Sequence, residues 1–193
     1  MGFYHVAKNI VWYTLKPLYR MEVIGKENIP KNGPVIICSN HISNLDPPVV
    51  GGSSPRDLHF LAKEELFEKK WLSKLLRSLN AFPIKRGMSD RAALRQALQL
   101  LKDNKVLGLF PEGTRSKSGK LGKGLTGIGF FALRSDAVVV PCAIIGPYKI
   151  GKKLKIIYGS PVNMTELRNT KASAKDATET IMEAIKVLLE NNS

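Results

Sequence analysis

Residues 34–46, PVIICSNHISNLD, join an apolar run to a polar loop and a helix start, and this combination decides the fold class. The apolar run at residues 35–38 is typical of a buried strand. Asp46 is followed by Pro47 and Pro48, and an aspartate N-cap with proline in the first turn is typical of a helix start. The stretch therefore predicts a strand–loop–helix unit of the kind from which parallel sheets are built.

The same alternation of short apolar runs and helical patterns continues along the chain. Strands are predicted at residues 20–25, 35–38, 58–61, 82–84, 106–110, 138–145 and 155–158. Helices are predicted at residues 3–19 down to Pro17, from Asp46 onward, at 63–79 as one helix or two, and at 89–103 with Ser89 as its cap, 127–133 and 173–190. Strands separated by helices predict an α/β fold, a single domain with a mostly parallel central β-sheet covered by helices.

The chain is strongly basic, with 30 Lys and Arg against 16 Asp and Glu and a formal net charge of +14. This excess implies an anionic partner, which can be nucleic acid, an acidic protein or a membrane surface rich in anionic lipid. Nucleic-acid binding has little further support, because the sequence has no aromatic-and-basic alternation, zinc-ligand spacing or basic heptads. A basic nucleic-acid-binding protein is kept as the alternative from another functional class.

Cysteine content and hydropathy bear on the cellular compartment. Cys38 and Cys142 each lie in an apolar run, as buried free thiols do, which favours a reducing, cytoplasmic compartment. No apolar run approaches the roughly 18 residues of a spanning helix, and the N-terminus has no leader with a small-residue cleavage site. We expect a soluble or peripheral protein that is not secreted.

Residues 1–19 are predicted to form an N-terminal amphipathic helix, a candidate for membrane contact. His5, Lys8 and Lys16 share one wedge of the helical wheel with Trp12, and apolar side chains cover most of the rest. That pattern suits a helix lying in a membrane interface. It equally suits a helix packed on the core of its own domain.

Polar side chains gather in three loops that follow predicted strands, at residues 39–46, 85–88 and 110–124. The carboxyl ends of parallel strands are where open sheets carry their functional groups. The three loops hold His41 and Asp46; Lys85 and Arg86; and Glu112, Thr114, Arg115, Lys117, Lys120 and Lys123. A base with an orienting carboxylate beside two cationic loops predicts an enzyme that acts on a phosphorylated substrate.

His41 has the properties of a general base. A histidine can accept a proton near neutral pH, and Asp46, in a His-x4-Asp spacing, can fix its tautomer and stabilise the imidazolium. No Gly-x-Ser-x-Gly elbow supplies a nucleophilic serine, so the substrate's own hydroxyl is the expected nucleophile for direct attack on an acyl group. His5 and His59 lack a comparable neighbour and are interpreted as structural.

Each of these features also has a simpler interpretation. Asp46 could be only a helix cap that stabilises the helix by about 1 kcal/mol. Lys85 and Arg86 could form a solvated turn, and the basic loop at residues 115–123 could bind anions without chemistry. The turn at residues 110–113 could be only a turn.

Four short motifs, in order along residues 20–160, resemble those of the glycerolipid acyltransferase family and specifically of its bacterial 1-acylglycerol-3-phosphate acyltransferases. They are residues 40–46 (NHISNLD), which fit Asn-His-x4-Asp; residues 82–87 (FPIKRG), an apolar pair closed by arginine; residues 110–116 (FPEGTRS); and residues 140–143 (VPCA), centred on Val-Pro. Four motifs in order are much more specific than any one alone. The resemblance implies a glycerol-3-phosphate acyltransferase-like fold, with residues 20–193 as the acyltransferase domain.

The resemblance also implies a reaction, in which an acyl group passes from a thioester of acyl carrier protein or coenzyme A to the 2-hydroxyl of lysophosphatidate. The product is phosphatidate for phospholipid synthesis. Acylation of another lysophospholipid or of glycerol 3-phosphate is an alternative, because those activities share the four motifs. No metal and no resident cofactor are expected, and the protein is expected at an anionic membrane, peripheral on its cytoplasmic side.

The residues of the four motifs receive roles from the same resemblance. His41 is expected to be the general base and Asp46 its orienting carboxylate. The residues expected to bind the substrate phosphate are Arg86, Glu112, Gly113, Thr114 and Arg115, with Glu112 orienting Arg115 or backbone amides. Further candidates are Lys85, Asn40 and Ser43. The residues expected to shape the acyl or thioester channel are Val140 and Pro141.

Overall fold

The computed structural model describes residues 2–85, 90–116 and 118–192, which form a seven-stranded sheet with helices on both faces. Its strands are β1 (Glu22–Ile24), β2 (Val35–Ser39), β3 (Leu58–Lys63), β4 (Ala81–Ile84), β5 (Val106–Leu109), β6 (Val138–Ile145) and β7 (Lys155–Tyr158). Its helices are α1 (Phe3–Leu18), α2 (Asp46–Ser53), α3 (Lys70–Ser78), α4 (Arg91–Lys102), α5 (Gly127–Leu133), α6 (Thr165–Asn169) and α7 (Ala174–Asn192), with 3-10 turns at Lys26–Asn28 and Glu64–Phe67.

The strands follow the order β1-β7-β6-β2-β5-β3-β4, and the predicted mostly parallel sheet is confirmed. Strands β2 to β6 all run in the same direction. Strand β7 pairs antiparallel with β6, and β1 pairs parallel with β7. The reversal follows from the short connection at residues 146–154, because a parallel return would need a crossover of about a dozen residues or more.

Side chains of the central strand β2 alternate between two separate cores. Val35 and Ile37 pack on the face that carries α1 and α2, whereas Ile36 and Cys38 pack on the face that carries α4, α5 and α7. Every residue of β2 is buried. Because both faces of the sheet are covered, the strand is a continuous apolar run rather than an alternating one.

The neighbouring strands β2 and β5 send their connections to opposite faces of the sheet. Strand β2 continues into α2 on one face, and β5 continues through residues 110–126 into α5 on the other. The two loops therefore separate beyond the carboxyl ends of adjacent parallel strands. Such a point is where open α/β sheets bind ligands, and two of the three predicted functional loops meet here.

Asp46 begins α2 but does not cap it, so the interpretation of Asp46 as a helix cap is wrong. The N-cap residue is Leu45, and no described side chain caps this helix. The Asp46 carboxylate instead points back into the preceding loop, where it accepts hydrogen bonds from the amides of Ile42 and Ser43. The side chain therefore stabilises the loop rather than the helix end.

The other helix boundaries follow the sequence closely, with three differences. The predicted cap Ser89 lies outside the described residues, and the described cap of α4 is Asp90, whose carboxylate accepts the amide of Ala93. The sequence does not predict α6, because a helix of five residues is too short to establish an apolar period. The predicted helix at residues 63–79 is a 3-10 turn followed by α3.

The N-terminal helix α1 lies against α2, packs one side on the core of its own domain and exposes apolar side chains on the other. Trp12 and Leu15 pack against the core on this face of the sheet. Phe3, Ile10 and Tyr13 are exposed on the other side of the helix. None of the helices in the described part of the chain is long and apolar enough to cross a membrane.

Candidate active site

The loop after β2 brings His41 and Asp46 into direct contact, as the His-x4-Asp spacing predicts. The His41 Nδ1 atom lies 2.7 Å from Asp46 Oδ2. The Asp46 side chain is fully buried and the His41 side chain is 17% exposed, so only the imidazole is accessible from solvent. The same carboxylate oxygen accepts the amides of Ile42 and Ser43 at 2.6 and 2.7 Å, which fixes the loop around it.

This contact determines which ring nitrogen of His41 is available for chemistry. A carboxylate only accepts hydrogen bonds, so Nδ1 carries the proton and Nε2 presents a lone pair. None of the described residues forms a hydrogen bond with Nε2. His41 is therefore oriented to take a proton from a bound hydroxyl group, and the buried carboxylate of Asp46 is placed to stabilise the imidazolium that forms.

The loop after β5 forms hydrogen bonds with both the backbone amide and the backbone carbonyl of His41. Glu112 Oε1 accepts the His41 amide at 2.9 Å, and the Ser116 amide donates to the His41 carbonyl at 2.7 Å. The other oxygen, Glu112 Oε2, accepts the Gly122 amide at 2.8 Å. Both oxygens of this buried carboxylate are thus engaged by backbone amides, and Glu112 joins the two functional loops.

Phe110 supports the imidazole itself, a role that the sequence does not indicate. Its ring stacks on His41 with a centroid distance of 4.2 Å and an interplanar angle of 24°. Phe60 stacks behind Phe110 at 6.1 Å, and Phe60 occupies the space where a side chain at Gly108 would lie. The imidazole plane is therefore fixed by aromatic packing as well as by Asp46.

Asn40 and Ser43, two of the further candidate residues, stabilise the histidine loop through its backbone. The buried side-chain amide of Asn40 forms two hydrogen bonds with the backbone of Ile144. It donates to the Ile144 carbonyl at 3.0 Å and accepts a hydrogen bond from the Ile144 amide at 2.7 Å. Ser43 Oγ accepts the Leu45 amide at 3.2 Å. Asn40 thereby fastens the loop to β6, and both side chains act on loop geometry in this structure.

The turn after Glu112 presents the residues expected to bind phosphate. Gly113, Thr114 and Arg115 are all exposed, and Ser116, directly after Arg115, is bonded to the His41 carbonyl. Gly113 has a φ of +63°, which favours glycine, and the Leu125 side chain occupies the space where its Cβ would be. This part of the predicted site therefore lies beside His41.

A comparison with models of protein families shows to which family the chain belongs. The acyltransferase family model matches residues 20–145, a span that contains the histidine loop and the loop after β5. This chain belongs to the acyltransferase family. The predicted enzyme class is therefore confirmed, in preference to a nucleic-acid-binding protein.

Individual relatives of this acyltransferase agree in sequence and fold. It is 32% identical over 178 residues to the 1-acyl-sn-glycerol-3-phosphate acyltransferase of Bacillus subtilis (strain 168), covering 87% of each chain. It is 32% identical over 153 residues to a chloroplastic enzyme of the same name from Arabidopsis thaliana, covering 77% of this chain and 42% of the plant protein. The crystal structure of the 1-acyl-sn-glycerophosphate acyltransferase PlsC from Thermotoga maritima matches with a TM-score of 0.69 at 26% identity, covering 97% of this chain and 83% of that one.

The other predicted site residues of the acyltransferase have no described contact with His41 or Asp46. Arg86 lies outside the described residues. Lys85 is exposed, and its Nζ lies 3.8 Å from Glu64 Oε1. Val140 is fully buried in the core on the α1 and α2 face, whereas Pro141 lines an open groove of about 610 Å3 beside α7.

Besides Phe110, sequence reasoning missed a residue that contacts Asp46. Tyr148, in the connection between β6 and β7, donates a hydrogen bond from its hydroxyl to Asp46 Oδ1 at 2.6 Å. Burial, and after it the negative charge of Asp46, raises the pKa of Tyr148. The hydroxyl therefore keeps its proton and remains a donor to the carboxylate.

The structure also contains a second histidine–aspartate contact, so the expectation that His5 lacks a comparable neighbour is wrong. His5 Nε2, on α1, lies 3.4 Å from Oδ2 of Asp57, just before β3. The two side chains are 52% and 40% exposed. The residues are far apart in sequence, which is why spacing does not reveal the contact.

Proposed function

We infer that this chain transfers a fatty acyl group from an acyl thioester to the 2-hydroxyl of 1-acylglycerol 3-phosphate, making phosphatidate. The observation that carries this inference is His41. Its Nδ1 is fixed by the buried Asp46, its side chain is partly exposed, and its carbonyl is bonded to the cationic turn through Ser116. The relatives from Bacillus subtilis and Thermotoga maritima, each covered over most of its length, bear the name of this activity.

In the proposed reaction, His41 Nε2 removes the proton of the 2-hydroxyl as its oxygen attacks the thioester carbonyl. The imidazolium that forms is stabilised by Asp46. Collapse of the tetrahedral intermediate breaks the carbon–sulfur bond, and the imidazolium returns the proton to the departing thiolate. An ester bond has then replaced the thioester bond, and no acyl group is attached to the protein at any step.

We propose that Arg115 binds the phosphate of the acceptor. Its guanidinium is exposed, and a planar fork of donors suits phosphate oxygens better than an ammonium does. Thr114 and Gly113 belong to the same turn, and Arg86 is proposed as a second cationic ligand. Glu112 is proposed to act indirectly, because both of its oxygens bind backbone amides and hold this turn against His41.

The thioester itself is proposed to come from acyl carrier protein or coenzyme A, as a co-substrate rather than a resident cofactor. The formal net charge of +14 favours binding of either anionic donor. For the acyl or thioester channel, the proposal rests on Pro141, because it lines the groove beside α7. Val140 would contribute only through the packing of β6.

We also propose that the protein works at an anionic membrane, peripheral on its cytoplasmic side. The apolar side chains Phe3, Ile10 and Tyr13 are exposed on α1, and Trp71 is exposed on α3. Helix α3 lies within a basic segment that contains Lys69, Lys70 and Lys74. Exposed apolar and cationic side chains together favour binding to the interface of an anionic bilayer.

The proposed function is tested by product analysis with a panel of substrates. Purified protein is offered acyl carrier protein and coenzyme A thioesters in parallel, with 1-acylglycerol 3-phosphate, glycerol 3-phosphate, a choline lysolipid or phosphate-free 1-monoacylglycerol as acceptor, in mixed micelles. We expect phosphatidate from the first acceptor and almost no product from the phosphate-free control. Faster acylation of glycerol 3-phosphate or of the choline lysolipid would contradict the proposed acceptor and identify the faster substrate as the acceptor instead.

A further inference from the structure

The hydroxyl of Tyr148 completes the hydrogen bonding of the catalytic carboxylate. Asp46 Oδ2 already accepts hydrogen bonds from Nδ1 of His41 and from two backbone amides of the loop. Asp46 Oδ1 accepts the Tyr148 hydroxyl at 2.6 Å, which is the one partner of this oxygen among the described hydrogen bonds. Because Asp46 is fully buried, a carboxylate oxygen without a donor would be costly. Tyr148 therefore holds the side of Asp46 that the histidine loop does not reach.

The position of Tyr148 is set by the end of α1. Its ring packs edge-on against Tyr19, with a centroid distance of 5.5 Å and an interplanar angle of 81°. The connection that carries Tyr148 is bonded to the same helix end, because the Gly151 amide donates to the Leu18 carbonyl at 2.9 Å and the Leu154 amide to the Tyr19 carbonyl at 3.0 Å. The catalytic carboxylate is thus linked through Tyr148 to the N-terminal helix.

We propose that Tyr148 is a positioning residue for acyl transfer, which holds Asp46 so that His41 stays in its reactive orientation. In this proposal Tyr19, at the end of α1, holds the ring of Tyr148 in place, so that the position of α1 affects the orientation of Asp46 and His41. Both tyrosines lie outside the functional motifs, and Tyr148 lies beyond the span that the family model matches. The proposal rests on the proposed function of His41 as the general base. Tyr148 acts through its hydrogen bond to Asp46.

The hydrogen bond from Tyr148 to Asp46 determines how loss of the Tyr148 hydroxyl would affect the protonation of His41. The Tyr148 hydroxyl draws negative charge toward Oδ1, so its removal leaves more charge on the oxygen that faces His41 and favours the imidazolium. The Cys142 thiol near Asp46 stays protonated near neutral pH, since burial raises its pKa to about 12. Glu112 faces the His41 backbone, and its two oxygens remain bonded to amides.

The test compares Tyr148→Phe with Tyr158→Phe, which deletes the same atom from another buried tyrosine. The Tyr158 hydroxyl contacts Ser53 Oγ at 2.7 Å and donates to the Val50 carbonyl at 3.1 Å, away from Asp46. Initial rates are measured against acceptor concentration and against pH, together with the thermal unfolding midpoint of each variant. The unfolding midpoint separates loss of folded protein from loss of catalysis.

For Tyr148→Phe we expect kcat to fall about tenfold with the KM of the acceptor unchanged, and the acidic limb of kcat/KM to move to higher pH. Tyr158→Phe is expected to lower the unfolding midpoint without moving that limb. A Tyr148→Phe protein with the wild-type kcat and pH profile overturns the proposal, as does a loss of rate matched by Tyr158→Phe. Failure of the proposed function would look different, because the wild-type protein would then make no phosphatidate.

A second pair of variants tests the link to α1. Tyr19→Phe keeps the ring that packs against Tyr148, so it should behave as wild type. Tyr19→Leu removes the aromatic edge and should reproduce part of the Tyr148→Phe defect, with the acidic limb shifted in the same direction. A Tyr19→Leu protein with the wild-type pH profile would overturn the role of Tyr19.

Discussion

Among the residues that the structure describes there are two histidine–aspartate contacts, and the comparison of the two explains why only one is proposed to be catalytic. At His41 the imidazole lies 2.7 Å from a fully buried carboxylate. At His5 the separation is 3.4 Å, and the histidine and aspartate side chains are 52% and 40% exposed. The residue types are the same, but only the first pair has a fully buried carboxylate.

The surroundings of the two carboxylates differ as much as their burial. Asp46 accepts two loop amides and the Tyr148 hydroxyl besides the imidazole. Asp57 faces His5 and, at 3.8 Å, the ammonium of Lys8 on the same exposed helix. Charges at an exposed site are screened by water and their side chains keep many rotamers. A reactive imidazole therefore depends on the network around its carboxylate, and a nearby carboxylate alone is insufficient.

The largest difference between the two pairs is expected when each aspartate is changed to asparagine. In Asp46→Asn, the amide oxygen must face His41, because the amides of Ile42 and Ser43 also need an acceptor at that position. The substitution therefore removes the negative charge that stabilises the imidazolium. We expect kcat to fall by about 10²–10⁴-fold, whereas Asp57→Asn should retain nearly the wild-type kcat. Steady-state kinetics of both variants check this, and an active Asp46→Asn protein would remove the distinction between the pairs.

A smaller effect is expected from the cationic turn that only the His41 pair has beside it. Arg115→Ala should raise the KM of the phosphorylated acceptor by roughly tenfold, with kcat largely retained. Arg115→Lys should recover part of the loss because the charge returns without the bidentate geometry. The control is Arg134→Ala, at the end of α5, where the guanidinium lies 5.9 Å from the ring of Phe130. An unchanged KM in Arg115→Ala would count against Arg115 as a phosphate ligand.

The smallest effect is expected for the exposed pair itself. His5→Ala should change the free energy of unfolding by less than about 1 kcal/mol, because both partners are substantially exposed. Chemical denaturation followed by circular dichroism measures the change, with Lys8→Ala as a variant of the same cluster. A loss of several kcal/mol would mean that the contact between α1 and Asp57 has a structural role that its exposure does not suggest.

Local sequence information was sufficient for the strands, for most of the helices and for the contact between His41 and Asp46. The predicted bounds of α5, β6 and β7 agree with the structure, because each is a short apolar segment between clear turn residues. His41 and Asp46 could be paired from the sequence because one loop contains both. The direction in which the Asp46 side chain points could not, since a helix cap and a loop ligand have the same local pattern.

Contacts between distant residues could not be predicted in the same way. Tyr148 follows Asp46 by 102 positions and lies in a turn whose sequence resembles any polar connection. The stacking of Phe110 on His41 also depends on the adjacency of β2 and β5, which are separated in the chain by β3 and β4. These positions follow from the order of the strands, which the alternation of strands and helices leaves undetermined.

The most direct test of the account is the rate of phosphatidate formation by His41→Ala, measured beside His5→Ala at equal concentrations of folded protein. We expect His41→Ala to lose about 10²–10⁴-fold in kcat while binding vesicles that contain lysophosphatidate as the wild type does, and His5→Ala to remain active. A His41→Ala protein with substantial activity would contradict the assignment of the buried pair as the catalytic one.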